Sequence, residues 1–227
     1  MSLKYIYVVS FFYFILQITC VFSENLKYYG DAGQDRYVNE HFFHNKKNGV
    51  FIDIGAHEGI CCSNTYFFEK YLEWSGICFE PNPTTYNKLS KNRQCLCLQA
   101  AISDTTGKQS FICHECTWVS GLLKKYNPQH YKKWNVKSQL KNVIYVDAFL
   151  LNDVLEEHAI THVDLLSIDT EGGELDILKS IDFLKYNIDV VIVENIYNDS
   201  QYDEFLCSKG YKLITKLLRD QIYVIQK

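Results

Sequence analysis

The chain has 227 residues, 47% of them hydrophobic and 15% aromatic, which is enough to bury a sizeable core in one domain of ordinary size and unlike a disordered or fibrous sequence. Its formal net charge is -4 and no block of five or more Lys/Arg occurs, so a nucleic-acid backbone is a poor partner. A small-molecule or glycan substrate is easier to accommodate.

Lys4 precedes an apolar run from Tyr5 to Val21, interrupted by Ser10, Gln17 and Thr19, and Val21-Phe22-Ser23 resembles a signal-peptidase site. A run this short lies at the lower limit for a spanning helix. Residues 1–23 therefore read as a cleaved signal peptide, with an uncleaved anchor and membrane association through residues 5–21 as the alternative. Residues 24–227 form the folded domain, expected in the lumen of the secretory pathway or outside the cell. Asn198-Asp199-Ser200 is an acceptor sequon that fits such a location.

Beyond Ser23, apolar runs alternate with segments of helical period, the pattern of an α/β sheet. Strands are expected near 50–54, 76–80, 95–99, 143–147, 163–169, 188–194, 211–216 and 221–226. The last two form an antiparallel hairpin around Arg219-Asp220-Gln221 at a sheet edge. A helix is expected over 172–184, where Leu175, Leu178 and Ile181 recur at spacing three and the acids crowd the first turn. Residues 114–142 break the rhythm. They carry Trp118, Tyr126, Tyr131 and Trp134 among lysines and histidines, and read either as a lid that selects an acceptor or as a packed surface excursion.

Three strand ends carry the chemistry. Phe51-Ile52-Asp53-Ile54-Gly55-Ala56-His57-Glu58-Gly59 ends a strand in an acid and a glycine turn, and the helix expected from Ile60 points its N-terminus at the site. Cys78-Phe79-Glu80-Pro81-Asn82-Pro83 ends the next strand in a carboxylate able to accept both hydroxyl protons of a ribose. A dinucleotide fingerprint places a glycine where this chain has His57, so no pyrophosphate is expected. A nucleoside without phosphates, S-adenosylmethionine above all, fits better. Leu165-Leu166-Ser167-Ile168-Asp169-Thr170-Glu171-Gly172-Gly173-Glu174 brings Asp169 and Glu171 to the same edge, where clustered acids favour a cationic sulfonium.

Removing Cys20 with the signal leaves eight cysteines. Cys95/Cys97 and Cys113/Cys116 supply a zinc set only if a hairpin joins them; disulfides and buried thiols are the other readings, and no metal is assigned. Asp169 and Glu171 also suit Mg²⁺, which the sequence does not separate from donor binding.

From about Gly33 onward the chain resembles the FkbM family of S-adenosylmethionine-dependent methyltransferases. The resemblance is carried by Gly33-Gln34-Asp35, Phe51 to Ala56 with Gly59, and Phe79-Glu80-Pro81-Asn82-Pro83. It continues in Ala101-Ile102-Ser103-Asp104 with Gly107, and in Ser167 to Gly172 with Glu174-Leu175. It implies a Rossmann-like class I methyltransferase fold, a mostly parallel seven-stranded sheet with helices on both faces, and O-methylation of sugar or polyketide-type hydroxyls. It further implies that Asp53, Gly55, Ala56 and Gly59 border the methionine part of the donor, and that Glu80, with Pro81 beside it, holds the ribose. Ser103 and Asp104 would contact the adenine. Asp169 and Glu171 would lie nearest the transferred methyl and are the candidate bases; His57 is the first rival among the histidines, ahead of His114 and His130. Star-like trafficking proteins resemble the same family, so a non-catalytic lumenal binding protein is the alternative function.

Overall fold

The computed structural model describes residues 26–226; the expected signal segment at 1–23, with its membrane association through residues 5–21, lies outside the described residues. No helix among the described residues is long and apolar enough to cross a membrane.

The main sheet has seven strands: β1 (Val50–Ile54), β2 (Ser75–Phe79), β3 (Leu96–Leu98), β8 (His162–Ile168), β9 (Asn187–Glu194), β10 (Tyr211–Leu217) and β11 (Asp220–Ile225). Their spatial order is β10-β11-β9-β8-β1-β2-β3. β11 alone runs against its neighbours, pairing antiparallel with both β9 and β10. The expected mostly parallel sheet with a C-terminal hairpin is what forms.

Burial on both faces explains the continuous apolar strands. On one face Ile52, Ile54, Leu166 and Ile168 pack under α5 (Leu151–Glu157), α6 (Glu174–Ser180) and α7 (Gln201–Ser208), through Leu151, Leu155, Ile177, Leu178 and Leu206. On the other, Phe51, Cys78, Leu165 and Ile192 meet α1 (Gln34–Val38), α2 (Tyr66–Leu72) and α3 (Pro83–Asn92), through Val38, Phe67, Phe68 and Leu89. A second sheet of four strands, in the order β4-β7-β5-β6, joins β4 (Ala101–Ile102), β5 (Gly107–Ile112), β6 (Gly121–Leu122) and β7 (Val143–Phe149). The expected strand at 143–147 thus exists but belongs to this sheet. The 114–142 segment contributes β6, the short helix α4 (Pro128–Lys133) and single turns to the same layer.

Two helices differ from expectation. The first crossover helix starts at Tyr66, not Ile60, and its N-cap Thr65 bonds Asp53 of β1. Cys62 takes φ 59° and bridges to Gly30, and Ser63 Oγ accepts from the backbone N–H of Tyr66 at 3.1 Å, so local turn chemistry occupies 60–65. The helix expected over 172–184 is Glu174–Ser180. Ile181 turns out to ψ 132°, and the Asp182 carboxylate accepts from the N–H groups of Leu184 and Lys185 at 3.0 and 3.1 Å. Leu184 is left fully exposed.

Candidate functional site

The strand order reverses between β1 and β8, and the crevice outside the carboxyl ends of the strands at such a switch point is where open α/β sheets bind ligands. The strand ends here are pinned by the backbone. Gly55 and Ala56 N–H donate to Phe79 C=O at 3.0 Å, Asp169 N–H to Ile54 C=O at 2.9 Å, and Glu80 N–H to Leu98 C=O at 3.1 Å. They frame a cavity of about 400 Å³, within the range of ligand pockets.

Asp53, Gly55, Ala56, His57, Glu80, Pro81, Asp169 and Glu171 all line this cavity. Gly59 does not; it sits behind the wall, against Leu89 and Arg93. Ser103 and Asp104 are also off the wall. Ala101 and Ile102 pair with Ala148 and Phe149 of β7, which turns Ser103 into buried contacts, while Asp104 is drawn 2.8 Å from Lys125. The apolar end of the cavity is made instead by Phe79, Ala101, Ile102, Phe111 and Leu122.

Each wall carboxylate is held differently. Asp53 accepts from Thr65 Oγ1 at 2.5 Å and lies 3.7 Å from the guanidinium of Arg93; burial raises its pKa while Arg93 pulls it down. Arg93, absent from the sequence reading, is fully buried. It donates to Thr65 Oγ1 at 3.0 Å and Gly59 C=O at 3.2 Å, and pairs with Glu69. Glu80 Oε1 accepts from Asn82 N–H at 2.8 Å, yet burial lifts its carboxyl to about 7. Burial also raises Asp169 well above the carboxylate range, with repulsion from Glu171 and Asp220 adding to it.

That value gives Glu80 a sign for stability. In the empty fold its ionised form is disfavoured, so the native state holds a proton that the unfolded chain releases from its ordinary 4.5, and stability falls as pH rises from 4.5 towards 7. Glu80→Gln keeps an acceptor for Asn82 and removes the charge. Denaturant unfolding should find it more stable than wild type at pH 8, by roughly 1–3 kcal/mol, with the advantage vanishing towards pH 4.5. An advantage independent of pH would contradict the assignment.

The 114–142 segment reaches the cavity through Cys116, Thr117, Trp118, Val119, Ser120, Leu122 and Trp134. His57 takes φ 48°, stacks on Trp118 at 3.8 Å and shares a hydrogen bond of 2.9 Å with Thr117 Oγ1; burial lowers its pKa. The described cysteines are free thiols, and Cys95, Cys97, Cys113 and Cys116 do not gather into a metal set. Glu194, which the sequence reading passed over, ends β9 beside Asp169 and Glu171. Its signal was available, since Val190-Val191-Ile192-Val193-Glu194 repeats the apolar-strand-then-acid pattern of β1, β2 and β8.

A doubly wound sheet with one reversed strand is a Rossmann-like architecture, here with acids rather than bases gathered around its switch point. The methyltransferase FkbM domain model matches residues 53–213, and the chain belongs to that family. It is 25% identical over 201 residues to methyltransferase sdnD of Sordaria araneosa, covering 73% of this chain and 74% of that protein. It is 26% identical over 184 residues to the hexuronic acid methyltransferase AglP of Haloferax volcanii, covering 78% and 67%. Among solved structures, a methyltransferase FkbM from Methylobacillus flagellatus KT superposes with a TM-score of 0.45 at 12% identity; 79% of this chain is covered, and it spans 44% of the length of that one.

Proposed function

We propose that the cavity binds S-adenosylmethionine and that the protein methylates a hydroxyl of a glycan or small molecule. The observation that carries this is the carboxylate-rich lining of the wall. Asp31, Asp53, Glu80, Asp169, Glu171 and Asp220 line it, while Arg219 is its one Lys or Arg among the described residues. Phosphate ligands want Arg, Lys or a helix N-terminus; a sulfonium with an ammonium group wants carboxylates. Two buried polar atoms on the wall, Asn64 Oδ1 and His57 Nδ1, lack partners, as a wall built for a polar ligand would leave them.

When bound there, S-adenosylmethionine supplies an electrophilic methyl group. Glu80 would hold the ribose hydroxyls, the apolar lining would take the base, and Asp53 and Asn64 would hold the amino-acid part. Asp169, whose burial and repulsion from Glu171 favour taking up a proton, would receive the one lost by the acceptor hydroxyl, with Glu171 beside it as the second candidate. Trp118 and Trp134 offer flat surfaces suited to a sugar ring, and the action of AglP on a hexuronic acid supports a sugar acceptor. The acid-rich wall favours a neutral one.

Calorimetry with S-adenosylmethionine tests the reading. Wild type should bind at micromolar level, about -8 kcal/mol, and Glu80→Ala should lose at least about 1.5 kcal/mol, the scale of a charge-assisted hydrogen bond. Absence of binding by a folded wild-type protein would overturn donor use and favour the non-catalytic alternative.

A further inference from the structure

A second cavity, of about 270 Å³, opens on the other side of Glu171, with His130, Glu194, Asn195 and Tyr197 on its wall. Four buried polar atoms on this wall complete no well-formed hydrogen bond: His130 Nε2 and Glu171 Oε2, which face each other at 3.0 Å, Glu194 Oε1, which lies 3.6 Å from Arg219 Nε, and the Tyr197 hydroxyl. Buried polar atoms are nearly always satisfied, so two buried carboxylates left this poorly satisfied on one wall need a cause. Glu174, an acid lining the same cavity, shows the contrast. Glu174 Oε1 accepts from Thr170 N–H, Thr170 Oγ1 and Gly172 N–H at 2.8–3.0 Å, which makes it a loop clasp.

One carboxylate oxygen from each of Asp169, Glu171 and Glu194 lies within 4.8 Å of the others. Glu171 and Glu194 are buried, and the compensating charge is slight: Arg219 Nε is 3.6 Å from Glu194, and its half-exposed guanidinium also reaches towards Asp31. His130, itself buried and not an acid, points Nε2 to within 3.0 Å of Glu171 Oε2. Glu171 reaches this arrangement with φ 61°, a backbone conformation that non-glycine residues seldom take.

We propose that Asp169, Glu171 and Glu194 hold a hard divalent cation of the Mg²⁺, Mn²⁺ or Ca²⁺ type between the two cavities. The donors are all carboxylate oxygens, the set such ions prefer over thiolate-seeking metals. Oxygens bound to one ion at about 2.0–2.6 Å stand at most roughly 4–5 Å apart, and the three lie within that limit. The ion would also relieve the repulsion that, after burial, holds Glu194 above its ordinary range. Since Asp169 and Glu171 line the first cavity as well, a hydroxyl entering there could reach the ion and be polarised by it. The site shares Asp169 and Glu171 with the proposed reaction, while Glu80 and Asp53 take no part in it.

The test uses chelator-stripped protein with no donor present, titrated with Mn²⁺ and followed by electron paramagnetic resonance and thermal unfolding, with Mg²⁺ and Ca²⁺ as competitors. One Mn²⁺ per chain should bind, displaced by a competitor, and should raise the melting temperature. Glu194→Gln and Asp169→Asn should each weaken binding at least about tenfold. No saturable Mn²⁺ binding by wild type at millimolar concentration would overturn the proposal, whatever the variants do. So would retention of wild-type binding by both folded variants. Calorimetry with S-adenosylmethionine on the same preparation reads the first cavity separately, so failure of one site is distinguishable from failure of the other.

Discussion

Arg93→Met should cost about 3–5 kcal/mol of stability, the scale seen when one partner of a buried ion pair is removed. Methionine fills similar volume, so the loss isolates the charge. Arg93 is completely buried between Asp53 and Glu69, and its guanidinium lies 5.1 Å from the ring centre of Phe51. Without it two carboxylates remain in the interior with no cation. Thr65 and Gly59 also lose the donor that fixes the loop after β1. Thermal unfolding should show a fall of roughly 6–20 °C, from about 2–4 °C per kcal/mol for a domain of this size. The sign with pH follows from the same picture. In the variant, burial raises the pKa of Asp53 without the opposing pull of Arg93, so the variant loses stability as pH rises through the carboxylate range. Its deficit should be smallest near pH 4–5 and grow towards pH 8. Arg93→Lys should recover only part, because an ammonium cannot span Glu69, Thr65 and Gly59 together. A melting temperature within the error of wild type at pH 8 would show that Arg93 is not the clasp of this wall.

The contrast between Arg93 and Glu80 shows what could be read from the chain. Asp53, Glu80 and Asp169 were legible because each ends an apolar strand, and a parallel sheet brings all such ends to one edge, where the structure finds the cavity. The same rule would have found Glu194. Arg93 obeys no local pattern. It follows Lys91 and Asn92 at the polar end of a helix, and the groups that bury it come from residues 51–69. The seven-stranded sheet was legible because both its faces are covered and its central strands are largely apolar. The second sheet was not: β4 and β6 have two residues each, and β5 opens with exposed Gly107 and Lys108. Turn chemistry also defeated periodicity. Ser63 delays one helix and Asp182 cuts another short, although apolar spacing runs through both segments.

Gly55→Ala should abolish donor binding and destabilise the fold by at least about 3 kcal/mol, combining left-handed backbone strain with overpacking. Gly55 has φ 86°, and a Cβ there would fall 1.7 Å from the carbonyl oxygen of Asp169. That oxygen cannot move alone. Asp169 N–H bonds to Ile54 C=O at 2.9 Å, and Gly55 N–H bonds to Phe79 C=O at 3.0 Å, so β1, β2 and β8 meet within one peptide of the clash. Relief requires parting the ends of β1 and β8, the two strands that flank the switch point. Asp53, Asp169 and Glu171 would then shift relative to Glu80. Gly107→Ala is the control, since its φ is 121° but a Cβ there meets nothing within 4 Å. It should show the backbone strain alone, about 1–2 kcal/mol, and leave S-adenosylmethionine affinity intact. The difference between the two variants measures the close approach of β1 to β8. Equal losses in unfolding experiments, or full donor affinity in Gly55→Ala, would mean that the contact between these strands does not shape the site.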